Sequence, residues 1–147
     1  MINLKNETLQ TLYRYSLALS QNHDLSYDLV HDSLVKLKGK LVFNKEAYLK
    51  KSIRNNFYDL YRNKKKDTHP DPLPEAIDTE DLLIKKDLVN YYLTKLAPEE
   101  RELLYLVYVE DYTYKEVAKV FKVKIGTIMS RLARVKEKVK TIRKEGL

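Results

Sequence analysis

The sequence predicts an all-α protein made of two small helical domains joined by an acidic, proline-rich linker. Only three glycines occur in 147 residues, and three of the four prolines fall at positions 70, 72 and 74, so long stretches contain no helix breaker. Apolar residues recur at helical spacing on both sides of these prolines. We therefore expect helices at residues 1–66 and 81–147, with the linker at residues 67–80 between them.

Composition narrows the class of protein further. The chain has no cysteine, which excludes disulfides and thiolate metal ligands, and its three histidines are scattered, so we expect no metal or other cofactor. No apolar run approaches the roughly 20 residues needed to span a bilayer, and the first 30 residues do not have the pattern of a signal peptide. We expect a soluble cytoplasmic protein.

The charge is segregated along the chain rather than spread evenly. Residues 36–66 carry eleven basic and two acidic side chains, and residues 113–147 carry eleven basic and three acidic, giving net charges of +9 and +8. Residues 67–89 between them carry two basic and seven acidic side chains, a net charge of −5. Two basic blocks separated by an acidic segment indicate two contact regions for a polyanion, although solvated helix faces are the simpler alternative.

The first domain is predicted to contain three helices. The first covers residues 7–20, and the second begins at Ser26 as N-cap, with Asp28 in its first turn, and ends at Gly39. The third runs from Asn44 to Arg62. Its predicted buried positions follow helical spacing, namely Leu49, Ile53, Phe57 and Leu60.

The opposite face of the third helix predicts a nucleic-acid surface. Its cations can neutralise phosphates, and its tyrosine offers a ring on which an unpaired base can stack. A solubilising face with Tyr58 at the edge of the core is the alternative. The candidate residues are Lys51, Arg54, Asn55, Tyr58, Asp59, Arg62, Lys64 and Lys65.

The second domain is predicted to contain a helix-turn-helix. A helix ending at Leu96 precedes one that starts at Pro98, and a third helix with Val117 and Phe121 facing inward leads into a turn at Lys122. Lys122 occupies the left-handed position where glycine is commonest, at a cost of roughly 1 kcal/mol. The last helix is anchored by Ile128 and Leu132, and we expect its outward residues to contact a major groove: Lys124, Thr127, Met129, Ser130, Arg131 and Arg134.

These motifs together resemble a known family. Residues 96–101 (LAPEER), 112–118 (YTYKEVA) and 126–135 (GTIMSRLARV) are similar to region four of extracytoplasmic-function (ECF) sigma factors of RNA polymerase. Residues 28–34 (DLVHDSL) and 47–55 (AYLKKSIRN), with the basic run at 62–66, are similar to region two. The resemblance covers nearly the whole chain in the right order.

The resemblance implies partners and roles. Core RNA polymerase and promoter DNA, both double-stranded and melted, are the implied partners, and an anti-sigma protein is a further one. Asp28, His31, Asp32 and Leu34 would dock the polymerase, although His31 and Leu34 depart from the family's usual Gln and Phe. The third-helix residues would face the minus-ten element, where the short loop at 38–45 leaves base specificity open, and the helix-turn-helix residues would face the minus-thirty-five element.

Three other functions compete with this interpretation. A phage- or plasmid-type sigma-like regulator would bind polymerase or DNA without initiating transcription alone. A recombinase carrying a helix-turn-helix would need a nucleophile among clustered arginines, whereas the first domain has only Arg14, Arg54 and Arg62, so we expect no enzyme. A structural adaptor would show no salt-dependent DNA binding.

Overall fold

The computed structural model describes residues 4–66 and 92–145, and every regular element within those ranges is a helix. The chain folds as two compact units, Met1–Lys85 and Lys86–Leu147. The all-α prediction is confirmed. The predicted linker at residues 67–80 lies outside the described residues, so its extent and the domain boundaries stay predictions.

The first unit contains three helices that pack against one another in pairs. They are α1 (Asn6–Ser20), α2 (His23–Leu37) and α3 (Lys45–Lys66). The second unit contains α4 (Pro98–Leu104), which continues as a π-helical turn (Tyr105–Val109), then α5 (Tyr114–Phe121) and α6 (Ile125–Glu145).

The start of α2 differs from the prediction. Asn22, not Ser26, is the N-cap, because its side chain accepts a hydrogen bond of 2.9 Å from the backbone N–H of Leu25. Ser26 is buried inside the helix, where its hydroxyl donates to the carbonyl of Asn22 at 2.7 Å and lies 2.8 Å from the hydroxyl of Ser20. Asp28 therefore lies in the second turn of α2, not the first.

The α3 helix is confirmed from its cap onward but is longer than predicted. Asn44 accepts a hydrogen bond of 3.1 Å from the N–H of Ala47, as an N-cap does. Leu49, Ile53 and Phe57 are buried as predicted. Leu60 is exposed, so its predicted burial is wrong. The neighbouring Lys50 is buried beside the Tyr15 ring, which leaves only Lys51 of the lysine pair in solvent.

The second unit is built around the pair α5 and α6, which form a helix-turn-helix against α4. Val117 and Ala118 of α5 and Ile128 and Leu132 of α6 are buried, as the pattern predicts. Phe121 is half-buried at the end of α5. Within α4 and its π turn, Leu103, Tyr105 and Leu106 are buried and Val107 is half-buried.

The turn of this motif has the left-handed backbone that the sequence predicts. Lys122 adopts φ 57° and ψ 45° at the C-cap of α5. We expect Lys122→Gly to raise the free energy of unfolding by about 1 kcal/mol, because glycine adopts this conformation without steric penalty. Urea unfolding would measure the change, with Lys119→Gly in the interior of α5 as the control that should destabilise by about as much. No gain from Lys122→Gly would contradict the strain argument.

A capping box fixes the start of α5. The Thr113 hydroxyl accepts from the N–H of Glu116 at 3.1 Å, and the Glu116 carboxylate accepts from the N–H of Thr113 at 2.9 Å. We expect Thr113→Ala to lower the free energy of unfolding by about 1 kcal/mol. Thr141→Ala within α6 is the matched control, since Thr141 caps no helix, and its effect in the same unfolding assay should be smaller.

The same box predicts a dependence on pH. The hydrogen bonds from Thr113, chiefly that of its backbone N–H, lower the pKa of Glu116 below its ordinary value. A lowered pKa in the folded state means that the contribution is present at neutral pH and is lost as the pH falls through that lowered value. Glu116→Gln should therefore be less stable than the parent at pH 7, and the two should converge in strong acid during thermal unfolding. A difference in stability between the two proteins that persists in acid would show that the charge of the Glu116 carboxylate does not cause it.

Candidate nucleic-acid and protein interfaces

One face of α2 carries exposed acidic and apolar side chains together. Asp28, His31 and Asp32 follow helical spacing on one side of the helix, where Asp28 and Asp32 are exposed. Leu34, the fourth predicted docking residue, is half-buried, and its docking role stays a prediction. Val35 falls seven residues after Asp28, on the same side of α2, and is 58% exposed. The i, i+7 spacing from Asp28 is the sequence signal that places Val35 on this side.

The exposed stripe of α3 brings together four of its predicted residues. Lys51, Asn55, Asp59 and Arg62 lie on one side of the helix, over about 16 Å of its length. The Arg62 guanidinium forms an ion pair with Asp59. Lys64 is also exposed but lies off this stripe, and the side chain of Lys65 is outside the described part of the chain, so its role stays a prediction.

Two predicted residues beside this stripe, Arg54 and Tyr58, are not fully exposed. Tyr58 is only 8% exposed, and its ring packs edge-on against Phe57 with ring centroids 5.2 Å apart. The Arg54 guanidinium covers it, 4.9 Å from the ring centroid. Tyr58 is therefore not an open stacking platform in this structure but a ring at the edge of the core, which is the alternative interpretation, and its contact with DNA stays a prediction.

The loop before α3 presents the fully exposed aromatic ring that α3 itself lacks. Phe43 is 108% exposed, and Leu41 is equally exposed two residues earlier. Exposed lysines surround them in the sequence at Lys38, Lys40 and Lys45, and Lys40 donates to the Tyr48 hydroxyl at 3.0 Å. Sequence reasoning missed Phe43, because an apolar residue in a short loop has no periodicity that tells exposure from burial.

The six residues predicted to contact DNA in and just before α6 do not share one face. Met129 is exposed, but it lies about 160° around the helix axis from Arg131. Ser130 is exposed between them, and Thr127 is half-buried. Lys124 precedes the helix, and its carbonyl accepts from the N–H groups of the first turn. The six residues therefore form two sets, one around Met129 and one around Arg131.

The arginine set faces the acidic start of α4. Arg131 and Arg134 line a groove together with Glu99 and Glu100. Further along α6, the Lys138 ammonium forms an ion pair of 2.8 Å with Glu100. The carboxylates partly neutralise the positive charge on this side of α6.

A contact on the other side of α6 holds a second cation in place. The Lys136 ammonium lies 5.8 Å from the centroid of the Tyr108 ring. Its hydrogen bond to Tyr108 raises the pKa of Lys136 above its ordinary value. Lys136 therefore stays charged at neutral pH on the same side of α6 as Met129, seven residues away.

Two further features bear on the class of protein. No helix within residues 4–66 and 92–145 is long and apolar enough to cross a membrane. In those same ranges, no three His, Asp or Glu side chains converge as they would around a metal ion.

The second unit matches a known protein family. Residues 87–139 match the family described as Sigma-70, region 4, and this range includes α5 and most of α6. Among curated proteins, the chain is 23% identical over 150 residues to the ECF RNA polymerase sigma factor SigM of Bacillus subtilis (strain 168), covering 95% of this chain and 92% of SigM. It is 25% identical over 142 residues to EcfG, another ECF RNA polymerase sigma factor, from Rhodopseudomonas palustris (strain TIE-1), covering 90% and 78% of the two chains.

Solved structures extend the likeness to the whole fold. The sigma factor RpoE, crystallised with the anti-sigma factor NepR from Bartonella quintana, superposes with a TM-score of 0.71 at 25% identity, covering 94% of this chain and 92% of RpoE. The ECF sigma factor SigJ of Mycobacterium tuberculosis has the same fold with a TM-score of 0.69 at 18% identity, over 91% of this chain and 51% of SigJ. The region 4 match and these relatives agree with the sequence motifs, so the resemblance of the chain to the ECF sigma factors of RNA polymerase is confirmed.

Proposed function

We propose that this protein binds core RNA polymerase, directs it to promoter DNA and so initiates transcription as a sigma factor. The observation that carries this proposal is the likeness of the chain, over nine-tenths of its length, to sigma factors, together with the match of its helix-turn-helix to region 4. Three surfaces would carry the role, one for the polymerase and two for DNA.

The polymerase-docking surface is one face of α2, namely Asp28, His31, Asp32 and Val35. Two carboxylates beside an exposed valine suit a partner surface that is basic with an apolar centre, which is a common composition for a protein interface. Leu34 supports this face from within the unit rather than contacting the polymerase.

The melted strand of the minus-ten element binds to α3 and the loop before it. Lys51, Asn55 and Arg62 contact its phosphates and base edges, and Asp59 orients the Arg62 guanidinium through their ion pair. Lys64 and Lys65 extend the positive charge. Phe43 supplies the ring for an unpaired base, the role that the sequence suggested for Tyr58.

The duplex of the minus-thirty-five element binds to α6. Met129 and Ser130 face the major groove, with Lys124 and Thr127 at the start of the helix. Arg131 and Arg134 contact phosphates at the side of the groove. Glu99 and Glu100 lie beside them and partly neutralise their positive charge.

Several coarser features go with this role. Sigma factors are typically regulatory DNA-binding proteins without catalysis, and we infer that this chain is likewise no enzyme and acts in the cytoplasm beside the polymerase. RpoE of Bartonella quintana binds the anti-sigma factor NepR, which supports an anti-sigma protein as a regulator of this chain. The similarity to sigma factors does not favour a regulator that cannot initiate.

Transcription in vitro tests the proposal directly. Purified core polymerase supplied with fragmented bacterial genomic DNA should produce transcripts from discrete start sites only when this protein is added. Core polymerase alone is the control. Binding to polymerase or DNA without any new start site would support the non-initiating regulator instead.

A further inference from the structure

One side of the first three turns of α6 carries no side chain of the kinds that usually read bases. The exposed residues on that side are Ile125, Gly126, Met129, Ser130 and Ala133, whereas the exposed Arg131 and Arg134 of the same turns line the groove beside Glu99 and Glu100. In a helix-turn-helix, the first turns of the second helix contact the base edges. Recognition of guanine, adenine or cytosine there normally depends on Arg, Lys, Asn, Gln or a carboxylate.

Ile125 and Met129 are one turn apart and are 43% and 54% exposed. Burial of these side chains against a partner would be favourable. Cations lie at both ends of this apolar surface. Lys124 immediately precedes it, and Lys136, which contacts the Tyr108 ring, lies near its other end. An apolar strip between cations is complementary to the floor of a major groove between its phosphates.

Gly126 lies next to Ile125 and leaves the backbone uncovered because it has no side chain. Its surroundings are open, since a Cβ built there meets nothing within 4 Å, and its φ is not in the left-handed region. The fold therefore does not require glycine, although glycine destabilises a helix interior relative to alanine. A glycine that the fold does not need is explained if another molecule approaches the backbone closely at this point.

We propose that Ile125, Gly126 and Met129 form a specificity strip that reads the minus-thirty-five element through the C5-methyl groups of thymine. The methyl group is the one apolar feature that the major groove offers, and alkyl side chains are its usual partners. Gly126 lets the base edges come close enough for both neighbours to reach. This inference rests on the proposed function and adds to it the chemical basis of sequence choice.

The test begins with promoter duplexes that the holoenzyme selects from a random-sequence pool. Each thymidine of the selected minus-thirty-five element is then replaced singly by deoxyuridine, which removes only the methyl group. We expect the element to be rich in thymine and the replacement to weaken holoenzyme binding by about fourfold at one or two positions. Ile125→Ala and Met129→Ala should each remove the methyl dependence at one position, and Val109→Ala, at another exposed aliphatic residue of the same unit, should not.

Gly126→Ala provides an independent test, because the stability of the protein should rise while its affinity for the duplex should fall. The variant should unfold at a higher urea concentration and bind the selected duplex about threefold more weakly, since the added methyl group holds the base edges away. Equal affinity for thymidine and deoxyuridine duplexes, or a methyl dependence unchanged in the Ile125→Ala, Met129→Ala double variant, overturns the strip while leaving the sigma-factor function intact. A holoenzyme that selects no sequence at all overturns both.

Discussion

Reversal of the charges at Asp28 and Asp32 is expected to weaken binding to core RNA polymerase about 100-fold or more and to abolish transcription. Both carboxylates are exposed on one face of α2. Lysine at both positions would place like charge against the basic partner surface that we propose, and central charged contacts of an interface often contribute about 2 kcal/mol or more each. The α2 helix itself should persist, because lysine has a higher helix propensity than aspartate.

The control carries the same change in net charge at a different place. Glu99→Lys with Glu137→Lys alters two carboxylates of the second unit, which are not part of the α2 face, and should leave polymerase affinity unchanged. Fluorescence anisotropy of labelled protein with core polymerase would compare the two double variants. Equal affinities would place the docking surface elsewhere.

A second pair of variants separates docking from packing on the same helix. Val35→Ala should lower polymerase affinity without changing stability, since Val35 is mostly exposed. Leu34→Ala should do the reverse, because Leu34 is half-buried. If Leu34→Ala lowers affinity while Val35→Ala does not, Leu34 and not Val35 belongs to the docking surface.

Periodicity predicts the two units well where a residue lies at the centre of a buried or exposed face. Ile53 and Phe57 of α3 and Ile128 and Leu132 of α6 are buried as predicted for this reason. Tyr58 falls beside Lys51 in helical spacing, on the side predicted to be exposed, so periodicity alone does not predict its burial. The Arg54 guanidinium over its ring and the edge contact with Phe57 complete that burial, and neither contact is visible in the spacing.

The remaining differences depend on contacts between elements. Asn22 and Ser26 are both good N-cap residues, and the sequence alone does not decide between them. Ser26 lies inside α2, where its hydroxyl packs beside Ser20 of α1. Likewise, the carboxylates that lie beside Arg131, Arg134 and Lys138 come from the start of α4, and the sequence of α6 alone does not reveal them.

Substitution of Phe43 by alanine is expected to reduce promoter opening by roughly 5- to 150-fold, the range that corresponds to about 1–3 kcal/mol for one stacked base. The ring is fully exposed, so its removal should leave the stability of the first unit unchanged. Opening can be followed by the permanganate reactivity of unpaired thymines near the start site. Affinity for a duplex limited to the minus-thirty-five element should not change, because Phe43 lies in the other unit.

A series at this one position distinguishes stacking from general apolar contact. Phe43→Tyr and Phe43→Trp keep an aromatic face and should open promoters nearly as well as the parent, whereas Phe43→Leu keeps apolar bulk without the ring and should resemble Phe43→Ala. Tyr58→Phe should be nearly neutral, since the Tyr58 ring is buried and cannot receive a base in this conformation. Normal opening by Phe43→Ala, or full activity of Phe43→Leu, would show that an aromatic face at this loop is not what holds the melted strand.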